Sequence, residues 1–251
     1  KKVYVTVNIF PHNSDLPPLP DYLRDLEAAG VDALLVSDLG VWMTARKVVP
    51  GLGLHVSTQA NVTNWATAKA WEDLGAERVV LARELSFQEI REIREKITAD
   101  LEVFVHGAMC ISYSGRCLLS NYFTGRDSNR GACAQVCRWE FGLTEKNRPG
   151  EVFPMAEDER GTYIMNSKDL CLIDYLPQLM EAGVTSLKIE GRMKSVHYVA
   201  TVVSAYRKAI DLCWEDPEHF TVPESLRQEL EKVSHRPYTT GFALGKTGPE
   251  D

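Results

Sequence analysis

Three times along the chain a helically spaced run stops at a glycine and gives way to a short apolar stretch. Leu26-Glu27-Ala28-Ala29-Gly30-Val31 leads into Ala33 to Val36, Trp71-Glu72-Asp73-Leu74-Gly75-Ala76 into Arg78 to Leu81, and Leu179-Met180-Glu181-Ala182-Gly183-Val184 into Ser186 to Ile189. Glycine just past the last helical turn takes the left-handed conformation that closes a helix, and an unbroken apolar run of this length suits a strand covered on both faces. The pattern predicts further strands over Val3 to Ile9, Leu54 to Thr58 and Glu102 to His106. Ser86 and Glu89 form a capping box that opens a helix through Ile90, Ile93 and Ile97, and Pro20 opens the helix carrying Leu23 and Leu26.

Strands alternating with helices predict an α/β protein with parallel strands, either an open sheet or a barrel. The barrel is favoured. Asn8-Ile9-Phe10-Pro11-His12 holds no glycine-rich phosphate loop after the first strand. Polar residues instead recur at one strand end after another: Asn8, Ser37-Asp38, Ser57-Thr58-Gln59, Arg83-Glu84, His106, then Lys188, Glu190 and Arg192. In TIM-like (β/α) barrels the carboxyl ends of the strands carry the chemistry. Gln59 and Asn8 are candidates to read a substrate edge there, or to satisfy backbone groups. Six strands are legible where a closed barrel needs about eight. The chain opens on a strand at Lys1 rather than on methionine, so a fragment lacking its first strands is expected. Residues 1–216 are read as the partial barrel with a cysteine-rich, cluster-binding insertion at 107–150, and residues 217–251 as a C-terminal helix and irregular tail.

Composition changes the picture only locally. With 44% hydrophobic and 25% charged residues the chain is an ordinary globular protein, and no apolar run approaches a membrane span. A net charge of -7 argues against indiscriminate nucleic-acid binding. Four of the six cysteines, Cys110, Cys117, Cys133 and Cys137, crowd one polar, glycine-dotted stretch. Thiolates hold iron-sulfur clusters or zinc, and the glycine and short polar residues between them supply sharp turns. Disulfides and structural zinc are weaker alternatives, since 251 residues can build a core without staples and only Cys133 and Cys137 are closely spaced. Cys213 lies on a helical face with Val199, Val202, Tyr206 and Ile210, which suits packing. Cys171 starts a helical run and is the one plausible stand-in ligand.

The cysteine stretch is also basic. Between 106 and 148, six cations, among them Arg126, Arg130 and Arg138, face three acidic residues. Tyr113, Tyr122, Phe123, Trp139 and Phe141 are interleaved with them, a pattern that suits unstacked bases. The alternatives are a solvated loop, charge compensation for an anionic cluster, and aromatics that pack the loop down.

The run His106-Gly107-Ala108-Met109-Cys110-Ile111-Ser112-Tyr113-Ser114-Gly115-Arg116-Cys117, followed by Ser120, Arg126-Asp127, Asn129, Gly131, Cys133 and Cys137-Arg138-Trp139, resembles the signature of the peptidase U32 family. Lys188-Ile189-Glu190-Gly191-Arg192-Met193-Lys194-Ser195 is similar to its second hallmark, and Ser57-Thr58-Gln59, Leu81-Ala82-Arg83-Glu84 and His235-Arg236-Pro237-Tyr238 also fit. Arg138-Trp139-Glu140 and the helix from Ser195 to Ile210 resemble the family's bacterial tRNA hydroxylation branch. The family's opening strands and their glycine-rich turn are absent.

The resemblance implies a TIM-like barrel with a four-iron four-sulfur cluster held by Cys110, Cys117, Cys133 and Cys137. It implies oxygen-independent formation of 5-hydroxyuridine at the tRNA wobble position, with prephenate as cosubstrate and hydroxyl source, in the cytoplasm. Arg83, Lys188 and Arg192 are candidates to bind the prephenate carboxylates, or to form ion pairs with Glu84 or Glu190. His106 is a candidate proton shuttle or donor to a cluster sulfur. Relatives acting on ubiquinone precursors use a different fourth cysteine, which keeps Cys171 in view. Hydroxylation of a ubiquinone precursor or rRNA remains an alternative. So does a collagenase-like peptidase, although the chain has neither a Gly-x-Ser-x-Gly elbow nor a His-Glu-x-x-His helix.

Overall fold

A computed structural model describes residues 1–110, 112–114, 116–139, 141–144, 152–155 and 168–245. In chain order the elements begin with β1 (Tyr4–Val7), α1 (Leu19–Ala28), β2 (Ala33–Val36), α2 (Leu39–Val48), β3 (Gly53–Val56), α3 (Trp65–Asp73) and β4 (Arg78–Val80). There follow α4 (Phe87–Arg94), β5 (Asp100–Ala108), α5 (Leu119–Thr124), β6 (Phe141–Thr144), β7 (Val152–Met155) and β8 (Asp169–Cys171). The last are α6 (Leu176–Glu181), β9 (Ser186–Ile189), α7 (Val196–Glu215), α8 (Glu224–Glu231) and β10 (Tyr238–Thr239). The fold is mixed α/β with mostly parallel strand pairing. Among the described residues no helix is long and apolar enough to cross a membrane.

Two compact units interleave along the chain. The first comprises Lys1–Ala82, Glu92–Leu101 and Ser112–Cys137, the second Arg83–Arg91, Glu102–Ile111 and Arg138–Asp251. In the first, β1 to β4 pair in parallel in sequence order, with Tyr4 opposite Ala33, Ala33 opposite Gly53 and His55 opposite Arg78. All four residues of β2 are buried, which explains its unbroken apolar run. Asp38 caps α2 by accepting from Val41 N at 3.0 Å, and Asn64 caps α3 by accepting from Thr67 N at 2.9 Å. Fully buried Trp42 meets Trp71 edge to face at 5.0 Å and donates its indole N–H to Leu74 O. Glu72 accepts from Lys69, Thr98 N and Ala99 N, and these bonds hold its carboxyl down at about 2.

The repeated glycine stops are three copies of one hydrogen-bonded device. Gly30, Gly75 and Gly183 have φ of 76°, 88° and 73°. At each, the glycine N–H reaches back three residues and the next N–H five, as in Gly75 N to Glu72 O at 2.8 Å and Ala76 N to Trp71 O at 3.0 Å. Two otherwise unsatisfied helix carbonyls are thereby bonded, and the chain leaves in the direction of the next strand.

In the second unit β9 pairs in parallel with β5, Glu102 opposite Ser186, with an irregularity between Phe104 and His106. The chain departs from expectation here. β8 was not foreseen, and it runs antiparallel to β5, His106 opposite Cys171, with β10 parallel to β8. Strands of three and two residues carry no period to detect. Cys171 therefore ends a strand rather than starting a helix; the helical spacing begins only at the 3-10 turn Ile173–Tyr175 and α6. β6 and β7 pair antiparallel, Phe141 opposite Met155 and Thr144 opposite Val152. The Ser86–Glu89 capping box is present reciprocally, but α4 stops at Arg94, whose guanidinium binds the carbonyls of Ile97 and Ala99. On α7, capped by Ser195, the buried face is Tyr198, Val202, Ala205, Tyr206, Ala209 and Cys213. Cys213 packs as expected, whereas Val199 is partly exposed.

Gly107 has φ of 103°, and a Cβ there would stand 2.6 Å from Glu190 O. Gly125, at φ of 68°, has open space around it. Gly107→Ala is therefore expected to destabilise by several kcal/mol and Gly125→Ala by only about 1–2 kcal/mol, as chemical denaturation of the two variants will check.

Candidate functional site

In the first unit, the segment 112–137 carries three of the expected ligands on a chain that turns repeatedly. Gly125 and Gly131 turn through left-handed φ of 68° and 84°, and Gln135 does so without being glycine, at 57°. Buried Ser120 donates to Arg126 O at 2.6 Å and accepts from Ala134 N at 2.9 Å, joining the two ends of the loop. Ser128 Oγ and Asn129 Nδ2 both donate to Cys117 O, at 2.7 and 2.9 Å. The Gln135 N–H points at Cys133 Sγ, 3.4 Å away.

The loop is clamped to the chain leaving β1. Phe10 N donates to Asn129 O at 3.1 Å. Arg130 sends Nη1 to Phe10 O and to Asp15 Oδ2, both at 2.8 Å, and Nη2 to Asp15 Oδ1 at 3.0 Å. This two-pronged pair gives geometric definition as well as charge. The guanidinium beside Asp15, helped by His12 N–H, holds its carboxyl down at about 2. Arg130, expected to face RNA, is thus committed to an internal fork. Arg126 is exposed, as expected for such a contact. The side chain of Arg138 lies outside the described residues, as do Ile111, Gly115, Glu140, Lys146, Arg148 and the side chain of Phe141.

Cys117 and Cys133 are half-buried thiols and Cys137 is buried. Cys110, which belongs to the second unit, is exposed. Their chemistry suits a thiolate-held group, and the Gln135 N–H on Cys133 is the kind of hydrogen bond that stabilises an anionic sulfur. Among the described residues, however, no three His, Cys, Asp or Glu side chains are gathered as a metal site.

The second unit gathers the expected strand-end charges differently from the pairing foreseen. The Arg83 guanidinium lies 3.5 Å from the centre of the Phe104 ring, and Lys188 Nζ stands 5.5 Å from the same ring. Lys188 pairs not with Glu190 but with Glu102, at 2.8 Å, and Glu102 also accepts from Ser186 Oγ at 2.8 Å. Glu190 accepts from Arg192 N at 2.9 Å, shaping the turn after β9. The Arg192 side chain is exposed at the rim of a cavity of about 610 Å³ bounded by β9 and α7. Glu84 lies half-buried beside Arg83 in the chain. Glu102 and Phe104 were missed, although their alternation with Val103 and Val105 along β5 is the signal that places them on one face.

His106 is 1% exposed, surrounded by Tyr206, Tyr238 and Tyr198 at ring-centre distances of 5.4, 5.3 and 6.0 Å. Neither ring nitrogen, nor the Tyr198 hydroxyl, has a hydrogen-bond partner among the described residues. Burial pushes the imidazole down to about 4, against the opposing pull of Asp169. Burial likewise raises the phenols of Tyr198, Tyr206 and Tyr238, so the chamber is neutral at ordinary pH. Tyr206 OH donates to Val105 O at 2.7 Å and accepts from Leu172 N at 3.2 Å, joining β5 to the chain after β8. Cys171 Sγ is 3.9 Å from that hydroxyl, and burial raises its thiol. In the first unit, Asn8 Nδ2 donates to Ser57 Oγ at 2.7 Å, while Gln59 Oε1 is buried without a partner among the described residues.

A family model described as Peptidase family U32 matches residues 1–251. The chain is 48% identical over 250 residues to the tRNA hydroxylation protein P1 of Bacillus subtilis, covering 100% of this chain and 59% of that protein. It is 43% identical over 282 residues to the tRNA hydroxylation protein P of Escherichia coli, covering 96% and 62%. It is 36% identical over 258 residues to the 23S rRNA 5-hydroxycytidine C2501 synthase of Escherichia coli, covering 98% and 37%. The chain thus spans about three fifths of the length of these two tRNA hydroxylation proteins.

Two predictions follow the electrostatics. An imidazole held near 4 when folded and free to protonate near 6.5 when unfolded contributes stability that is complete above about pH 6.5 and lost as pH falls toward about 4. Urea unfolding is expected to show a loss of up to roughly 3 kcal/mol over that window, a slope that His106→Phe removes. The Asp15–Arg130 fork is intact above about pH 4 and released toward about pH 2. Arg130→Ala is expected to raise amide hydrogen exchange across 117–137 while leaving β2 and β3 protected.

Proposed function

The chain belongs to peptidase family U32, and from that membership we propose that the protein is a tRNA-modifying hydroxylase, converting the wobble uridine to 5-hydroxyuridine without molecular oxygen. The observation that carries the proposal is the match along the whole chain to relatives named for tRNA hydroxylation, over a segment that carries cysteines and exposed cations together. Cys110, Cys117, Cys133 and Cys137 would hold a four-iron four-sulfur cluster, which would supply the electron transfer that no side chain provides. The parallel strands fit a TIM-like barrel whose strand ends face the reaction. A cytoplasmic site of action follows from a tRNA substrate.

The roles of this chain's own residues follow from their surroundings. Arg83 and Lys188, gathered over Phe104, would bind the carboxylates of prephenate, the hydroxyl source, with Glu102 orienting Lys188. Arg192 at the cavity rim would steer the dianion inward, and Glu190 sets the turn that presents it. His106 stays neutral in its aromatic chamber, four residues ahead of Cys110 in the chain. An rRNA substrate is the second possibility, favoured by the 36% identity to a 23S rRNA 5-hydroxycytidine synthase. A peptidase finds no support in a nucleophile poised beside a base among the side chains just described.

Protein purified without oxygen is expected to contain iron that Cys110→Ala, Cys117→Ala, Cys133→Ala and Cys137→Ala each reduce, whereas Cys171→Ala leaves it unchanged. Nucleoside analysis of tRNA from a deletion strain lacking any paralogue should show loss of 5-hydroxyuridine derivatives. Normal tRNA with altered rRNA would move the substrate to the ribosome, and normal RNA of both kinds would refute the assignment.

A further inference from the structure

The outer side of the cysteine loop exposes more large apolar surface than a solvated turn requires. Tyr122 is 82% exposed, Leu118 71%, Tyr113 60% and Phe123 44%. Tyr122 and Phe123 meet edge to face at 5.1 Å and so present one composite aromatic surface. The base beneath them is held in place: Thr124 Oγ1 donates to Ser120 O at 2.7 Å, Ser120 Oγ donates to Arg126 O, and left-handed Gly125 closes α5 through Asn121 O at 2.8 Å. Rigid mounting matters because a preordered aromatic loses little entropy on contact.

Charge selects the occupant. Arg116 and Arg126 lie on either side of these rings in the sequence, both exposed, and neither pairs with an acidic side chain among the described residues. Arg130, by contrast, is neutralised by Asp15 on the inner side. The surface therefore combines cations that meet no acidic side chain among the described residues with the widely exposed Tyr122 ring, on a protein whose net charge is -7. A polyanion whose planar bases are unstacked satisfies both features, whereas an apolar protein segment would leave the arginines without partners. Duplex RNA hides its base faces and would use the cations alone.

We propose that Tyr122, on a segment that also exposes Leu118, Arg116 and Arg126, forms a stacking platform for unpaired bases of the RNA substrate. The proposal rests on the RNA reading above and deepens it by assigning which residues grip the single-stranded loop.

The test is binding of the whole protein to an unmodified tRNA transcript, a short unstructured RNA and a duplex of the same sequence, followed by fluorescence anisotropy. Tyr122→Ala is expected to weaken binding of tRNA and single strand about ten-fold or more, Tyr122→Trp to retain it, and duplex binding to be weaker and unaffected. Arg126→Gln should reduce the salt slope by about 0.7. Exposure of Tyr122 means that these variants should melt with the wild type. Unchanged tRNA affinity in Tyr122→Ala, or an equal loss on duplex, overturns the platform while leaving the tRNA assignment intact. Wild-type binding to the single strand but not to tRNA, lost in Tyr122→Ala, supports the platform and removes the tRNA assignment. Binding to neither, or altered self-association in Tyr122→Ala with RNA affinity unchanged, overturns the platform.

Discussion

A left-handed glycine at the end of a helix is the constraint on which this architecture turns. Each of Gly30, Gly75 and Gly183 lets two backbone N–H groups reach back to helix carbonyls, so the helix closes and the chain enters the next strand three residues on. A side chain at such a φ would cost about 1–2 kcal/mol at each. The same conformation recurs at Gly125 and Gly131 in the cysteine loop, but no strand follows to fix the direction of the chain there. The Asp15–Arg130 fork and the Ser120 bridges take over that task, so a segment of short turns around the brief helix α5 is still held at several points along its length.

The cations of this molecule differ in how far they are paired. Arg130 is paired with Asp15 and Lys188, on β9, with Glu102. Arg116 and Arg126, both exposed, meet no acidic partner among the described residues. Arg83 occupies an intermediate position, its guanidinium laid over Phe104, where an aromatic face compensates part of its desolvation without cancelling its charge. Such a group retains the capacity to bind a carboxylate. The neutral chamber of His106 and three tyrosines provides contrast: buried polar atoms without partners are costly, and here they are tolerated in contact with aromatic rings.

Much of the fold was legible before any coordinates. The glycine stops, the capping box at Ser86 and Glu89, the strands β1 to β5 and β9, and the packing of Cys213 all depend on signals within a few residues. β8 and β10 were not legible, because neither follows a glycine helix stop or carries an apolar run such as the one that marked the equally short β4. The error at Cys171 has the same source: helical spacing from Leu172 onward extends backward on paper, yet pairing with β5 draws the thiol into a strand. Arg130 looked like its exposed neighbour Arg126, since nothing in the loop announces an aspartate 115 positions earlier.

What the amino-acid sequence determined by itself was the order of the elements, where each helix stops, and the grouping of cysteines, cations and aromatics into one segment. These follow from backbone preference and side-chain period, which act over one or two turns. Only the tertiary structure decided which charges are spoken for and which stand open: Asp15 on Arg130, Glu102 on Lys188, Phe104 under Arg83, and the tyrosines around His106. Each of those partnerships joins residues far apart in the chain, and through-space electrostatics and burial are defined only once strand neighbours and loop clamps have brought them together.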